Sequence, residues 1–121
     1  MKKYTGEEFK EAMQVISSTI SNCEKMHPKF AEGTSQHTLL KNRIKSLYIS
    51  KSLIMEESII DKYTKEELMK ALPPISSIIS KCENAQLKFR EDSSHYKRLE
   101  KIIQAMYISK SLIEDKIGEV D

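Results

Sequence analysis

Apolar side chains recur every three or four residues along two stretches of this 121-residue chain. This spacing places them on one face of a helix, and neither stretch shows the alternation of apolar and polar residues that strands require. The stripe residues are Phe9, Met13, Ile16, Ile20, Cys23 and Phe30 in the first stretch, and Leu68, Leu72, Ile75, Ile79, Cys82 and Phe89 in the second. The pattern predicts an all-α fold in which each stripe faces a core.

The same helix-start signal precedes both stripes. Thr5 is followed three residues later by Glu8, and Thr64 by Glu67. This is the spacing of a capping box, in which the threonine hydroxyl and the glutamate carboxylate each accept a backbone N–H of the first turn. Both stretches should therefore begin as helices at these threonines.

A polar segment follows each predicted first helix, at residues 31–35 and 90–94. Gly33 suits the position just after a helix, and Thr34 and Ser93 suit the N-cap of the next one. Second helices are predicted over residues 36–60 and 95–117. Each stretch is therefore predicted to form a helical hairpin.

The two predicted hairpins are copies of one unit. Residues 4–54 align without a gap with residues 63–113, at a constant offset of 59, and about half of the aligned residues are identical, as in internal repeats. Residues 1–121 are too few for two independent cores, so we expect a single domain made of hairpins at 4–61 and 63–118. The short connection between them favours antiparallel neighbours and predicts an up-down-up-down four-helix bundle.

The copies differ at Pro73-Pro74, which replace Gln14-Val15. Proline has no backbone N–H, and it disfavours the helical conformation of the residue before it. The third helix is therefore predicted to be kinked or broken at this point.

The longest identical block is Tyr48–Ile54, which recurs as Tyr107–Ile113. Its helical wheel is apolar on two sides, and two interpretations stay open for the second side. Other helices of the same chain could cover it, or it could be an interface with a second copy or another protein. Our hypothesis is the interface, lined by Ile49, Leu53, Ile108 and Leu112. It implies a protein partner or a homo-oligomer.

Lys51 and Lys110 fall on the main apolar stripe of the second helices. A lysine in such a position extends its ammonium to solvent or pairs with a carboxylate. As an alternative, the two lysines could form an anion-binding site together with Tyr48 and Tyr107, which lie three residues earlier.

No catalytic, metal-binding or cofactor-binding motif stands out. His27, His37 and His95 occupy unmatched positions in the two copies, so neither a duplicated Ser-His pair nor a duplicated metal site is indicated. Cys23 and Cys82 occupy matched positions on apolar faces and are interpreted as small buried hydrophobic residues.

The charge balance disfavours nucleic acid as a partner. The chain has 20 Lys and Arg against 18 Asp and Glu, which is not the excess that phosphate binding uses. An alternative remains in which the basic starts of the second and fourth helices contact phosphates: Lys41, Arg43, Lys45, Lys97, Arg98 and Lys101. Because the sequence has no secretory signal and no long apolar run, we expect a cytoplasmic protein without a membrane association.

Three strings carry a resemblance: Tyr63–Leu68, Ile79–Glu83 and the Tyr107–Ile113 block. Together they resemble short uncharacterised helical proteins of Gram-positive mobile genetic elements. The resemblance covers one repeat unit and transfers no functional residues. It implies a cytosolic accessory or regulatory protein. The sequence therefore favours a non-enzymatic protein-interaction or regulatory module, with a nucleic-acid-associated regulator and a small-anion binder as alternatives.

Overall fold

The computed structural model describes residues 4–55 and 63–119, which form four helices. These are α1 (Gly6–Met26), α2 (Ser35–Ile54), α3 (Lys65–Gln86) and α4 (Ser94–Glu119). No strand occurs in the described residues, and the predicted all-α fold is confirmed. The predicted end of the second helix near Ile60 and the connection at residues 61–62 lie outside the described residues.

The starts of α1 and α3 are held by the two predicted capping boxes. The Glu8 amide donates to the Thr5 hydroxyl at 3.1 Å, and the Thr5 amide donates to the Glu8 carboxylate at 2.9 Å. The corresponding distances for Thr64 and Glu67 are 3.1 and 3.0 Å. Each box satisfies N–H groups that have no partner inside the helix.

Thr34 and Ser93 cap the second helices, as predicted. The Thr34 hydroxyl accepts from the His37 amide at 3.3 Å, and the Ser93 hydroxyl accepts from the Tyr96 amide at 3.1 Å. The prediction for Gly33 was wrong: it has a φ of 88° but lies just before Thr34 rather than just after α1. The first helix ends earlier because Pro28, which lacks an N–H, falls in a single 3₁₀ turn at His27–Lys29.

The bundle has a rhombic cross-section. Helices α1 and α2 pack together in the first hairpin and α3 and α4 in the second, while α1 packs on α4 and α2 on α3 between the hairpins. In addition α2 contacts α4, whereas no Cα atom of α1 lies within 8 Å of one in α3. Helices α2 and α4 therefore face each other across the short diagonal, and each contacts three other helices.

A single hydrophobic core draws residues from all four helices. Repeat-equivalent residues are buried to similar extents, and Leu47 and its counterpart Met106 are both fully buried. Further equivalent pairs in this core are Ala12 and Ala71, Ile16 and Ile75, Ile20 and Ile79, and Ile54 and Ile113. The core thus has the approximate two-fold character that a duplicated hairpin implies.

The second apolar side of α2 and α4 is covered by the other hairpin. Ile49 is 1% exposed and Ile108 is 7% exposed within the single chain, and Leu53 and Leu112 are half-buried against the same core. Ile49 lies between α2 and α3, and Ile108 between α4 and α1. The two isoleucines are therefore not exposed as the hypothesised interface requires, because helices with three neighbours need apolar residues on more than one side.

Helix α3 continues through Pro73-Pro74 as one helix, so of the two predicted outcomes the break does not occur and the kink stays a prediction. The two prolines leave the carbonyls of Met69 and Lys70 without their usual donors four residues later. The helix is held on either side of the prolines by Ala71, which is 3% exposed, and Ile75, which is fully buried. Packing on the core thus outweighs the lost hydrogen bonds.

Replacing the prolines with the residues of the first copy, as Pro73→Gln with Pro74→Val, should stabilise the protein. The substitution restores two N–H donors, and its gain is partly offset because proline also restricts the unfolded chain. We expect the free energy of unfolding, measured by urea denaturation, to rise by about 1–3 kcal/mol. The reverse change in the matched helix, Gln14→Pro, should lower it. An unchanged or lowered stability in the double variant would contradict this account of α3.

Candidate interaction grooves

Two grooves follow the two contacts between the hairpins. The acidic groove, of about 460 Å³, lies between α1 and α4 and reaches Glu83 of α3. The proline groove, of about 520 Å³, lies between α2 and α3 and includes Pro73 and Pro74. Both volumes are in the range of small-molecule and side-chain binding sites.

The grooves occupy repeat-equivalent positions. Glu8, Glu11, Ala12 and Val15 of α1 correspond to Glu67, Lys70, Ala71 and Pro74 of α3. Lys101, Gln104, Ala105 and Ile108 of α4 correspond to Asn42, Lys45, Ser46 and Ile49 of α2. The same packing of a first helix on the other hairpin's second helix therefore produces both grooves.

Small buried residues form the floor of both grooves. Ala12 and Ala105 are each 2% exposed in the acidic groove, and Ala71 and Ser46 are 3% and 2% exposed in the proline groove. Small side chains at a helix contact allow close approach of the two backbones. Larger side chains on either side then form the walls.

The charges on the walls differ between the two grooves. Glu8, Glu11, Glu83 and Glu100 line the acidic groove together with Lys101, so these five side chains carry a net charge of −3. The charged residues that line the proline groove are Lys45, Glu67 and Lys70, with a net charge of +1. Since the chain as a whole carries +2, the negative charge is a local property of this groove.

Two of the four carboxylates have structural hydrogen bonds. Glu8 belongs to the capping box, and Glu100 accepts from the buried Gln86 side chain at 2.9 Å. Glu11 and Glu83 are exposed, and no hydrogen bond or ion pair to another described residue occupies their carboxylates. The groove therefore combines carboxylates held in place with carboxylates open to a partner.

The residues of the predicted anion site have other surroundings. The Tyr48 hydroxyl donates to the Glu24 carboxylate at 2.9 Å, and this hydrogen bond raises the pKa of Tyr48. Tyr107 lines the acidic groove, while Lys51 and Lys110 are half-buried on their helices. The Tyr48 hydroxyl is therefore already hydrogen-bonded to a carboxylate, and Tyr107 lies beside carboxylates, so neither position favours an anion.

Three of the six basic residues predicted at the helix starts are not free to contact phosphates on an open surface. The Lys45 ammonium lies 3.8 Å from the Glu67 carboxylate, Lys101 lies in the acidic groove, and Arg43 points inward. The other three of the six, Lys41, Lys97 and Arg98, are exposed and lie outside that groove. The surface that the nucleic-acid alternative requires is therefore smaller than the sequence suggested.

Arg43 of α2 is half-buried, and part of its guanidinium is turned away from solvent. Its Nε and Nη2 atoms are buried and have no hydrogen-bond partner among the described residues. Its positive charge acts on both Cys23 and Cys82, although burial is the larger effect and raises the pKa of both thiols. The second copy has Ile102 at this position, so the arginine is not needed for the hairpin fold.

The histidines and cysteines are not arranged for catalysis. The His27 and His37 ring centroids lie 4.0 Å apart with the planes tilted by 31°, and the buried Nε2 of His27 has no partner among the described residues. Cys23 and Cys82 lie on α1 and α3, whose Cα atoms are more than 8 Å apart, so a disulfide would require backbone movement. Residues 4–55 and 63–119 also contain no group of three His, Cys, Asp or Glu side chains placed to hold a metal ion.

No protein-family model, curated protein or solved structure matches this chain. None of the helices in the described residues has the length and apolar character needed to cross a bilayer.

The acidic groove was not predicted from the sequence because its carboxylates come from three helices. A signal was present in the repeat alignment, where Glu11 and Glu100 correspond to Lys70 and Lys41.

Replacing Arg43 with isoleucine, the residue of the second copy, should stabilise the protein. A buried charge without hydrogen-bond partners is destabilising, and an apolar residue of sufficient size removes that cost. We expect the free energy of unfolding to rise by about 1–3 kcal/mol in urea denaturation. Arg98→Leu is the matched control, since Arg98 is exposed and corresponds to Leu39; it should change stability by less than about 0.5 kcal/mol. A loss of stability in Arg43→Ile would show that the guanidinium has a partner.

Alkylation by iodoacetamide should be slow in the native protein at neutral pH. Burial raises the pKa of the Cys23 and Cys82 thiols, so the thiolate fraction at a given pH is lower than in a free cysteine. The rate should increase only at a pH above the ordinary thiol pKa, and the urea-unfolded protein should show the ordinary profile. Rapid native alkylation at pH 7 would contradict the burial of these groups.

Proposed function

We propose that this chain is a non-enzymatic helical module that binds a protein partner through the acidic groove. The observation that supports this proposal is the difference between the two grooves. Their backbone positions are equivalent, yet the charged side chains that line the acidic groove carry −3 and those that line the proline groove carry +1. Two grooves that have the same backbone positions but different charges can bind different partners.

The proposal is directed at another protein rather than at a symmetric dimer. Of the four residues hypothesised for an oligomer or partner interface, Ile49 and Ile108 are buried within the single chain and Leu53 and Leu112 are half-buried. The acidic groove retains an accessible wall, because Glu11, Glu83 and Tyr107 are exposed. A partner can therefore reach the groove without unfolding the bundle.

A non-enzymatic role is part of the proposal. The raised pKa of both thiols opposes a cysteine nucleophile, and the His27 ring lies against the tilted ring of His37 rather than being paired with a serine. The separation of Cys23 from Cys82 suits a reducing compartment, and we place the protein in the cytoplasm.

Filling the acidic groove should abolish partner binding. Gln104 is exposed on the groove wall, so Gln104→Trp inserts a bulky side chain there, while Lys45→Trp places the same side chain at the equivalent position of the proline groove. Tagged proteins would be incubated with lysate of the source organism, and bound proteins quantified by mass spectrometry. We expect a stoichiometric companion with the wild type and with Lys45→Trp, and at least a tenfold lower yield with Gln104→Trp.

Circular dichroism would establish that both tryptophan variants remain helical. A companion that binds Gln104→Trp as well as the wild type, or capture of this chain alone, would count against the acidic groove as the binding surface.

A further inference from the structure

We infer that the partner presents a basic amphipathic segment to the acidic groove, with two or more Lys or Arg side chains next to apolar residues. This inference rests on the proposed function and specifies the chemistry of its partner.

Carboxylates line both sides of the groove along α4. Glu8 and Glu11 approach from α1 and Glu83 from α3, and these two helices pack against α4 from two sides while staying apart from each other. Glu100 adds a fourth carboxylate on α4 itself. A segment lying along α4 would meet carboxylates on both sides, so cationic side chains on both of its edges would be stabilised.

The floor of the groove is apolar. Ala12, Val15, Ala105 and Ile108 lie between the carboxylates, and Val15 remains half-exposed. An apolar side chain of a partner would remove the exposed part of Val15 from water, which is a contribution that charge alone does not supply. The groove therefore suits a segment with a cationic rim and an apolar centre.

The dimensions fit a short segment of a protein. The α4 residues that line the groove extend from Glu100 to Ile108, which is about 12 Å or roughly two helical turns. Tyr4 and Tyr107 also line it, and aromatic rings are favourable neighbours for Lys and Arg side chains.

Two of the carboxylates are already ordered before binding. The capping bond of Glu8 and the bond from Gln86 to Glu100 restrict both side chains. Glu8 and Glu100 therefore lose less side-chain conformational entropy when a partner binds than unrestrained glutamates would. Glu11 and Glu83 have no such bond among the described residues, and they can be neutralised without removing a structural contact.

The test uses the full chain and a fluorescent synthetic peptide that forms an amphipathic helix of lysine and leucine. The double variant Glu11→Gln with Glu83→Gln removes the two unbonded carboxylates. Its matched control is Glu32→Gln with Glu91→Gln, because these glutamates are exposed, repeat-equivalent and outside the groove. Binding would be measured by fluorescence anisotropy at physiological ionic strength.

We expect the wild type and the control to bind the peptide equally, and the groove variant to bind at least about tenfold more weakly. A glutamate–leucine peptide of the same length should not bind. Equal affinity for the lysine peptide in all three proteins, or no binding in any, would overturn the inference. Binding of spermidine but not of the peptide would also overturn it, in favour of a small organic cation.

The same variants separate this inference from the proposed function. If Gln104→Trp loses the captured companion but the Glu11 and Glu83 double variant keeps it, the basic-segment inference fails and the proposed function stands. If neither variant loses the companion, the acidic groove is not the binding surface and both fail.

Discussion

The contact between α2 and α4 is the constraint on which the bundle depends. Each of these helices packs against three others, while α1 and α3 stay apart. Each therefore needs apolar or small residues on more than one side, such as Leu47, Ile49 and Ser50 in α2. Ser50 and Ser109 are fully buried, and each hydroxyl donates at 2.9 Å to the carbonyl four residues earlier. This bond satisfies the hydroxyl without a partner from another helix, so a small polar residue is tolerated in the core.

Both grooves follow from the same constraint. Because α2 and α4 occupy the short diagonal, each exposes a narrow surface beside the other hairpin's first helix. The buried alanines of that contact are shared in α1 and α3, at Ala12 and Ala71, whereas the walls differ. Folding therefore fixes the shape of both grooves and leaves the charge of each free to differ.

Local signals in the sequence were sufficient for the helices but not for their partners. Capping boxes and apolar stripes identified α1 and α3, because these interactions span at most a few residues. A helical wheel showed that Ile49 lies on a second apolar side, but the direction of a side chain does not identify the helix opposite it. The hydrogen bond from Tyr48 to Glu24 and the inward position of Arg43 depend on that packing in the same way. The acidic groove joins residues as far apart as Glu8 and Glu100, so no sequence window contains it.

Comparison of the two copies distinguishes residues that the fold requires from residues that occur in only one copy. Residues such as Ile16 and Ile75 are buried in both copies, and a change at either would affect the core directly. Arg43, which stands where the second copy has Ile102, is half-buried, and two of its nitrogens have no hydrogen-bond partner among the described residues, which lowers stability. Glu11 and Glu83 stand on the surface, where like charges are screened by water and salt. One of the two grooves could therefore become acidic at little cost in stability, because its two unbonded carboxylates belong to no structural contact in the described residues while the other two also serve the fold.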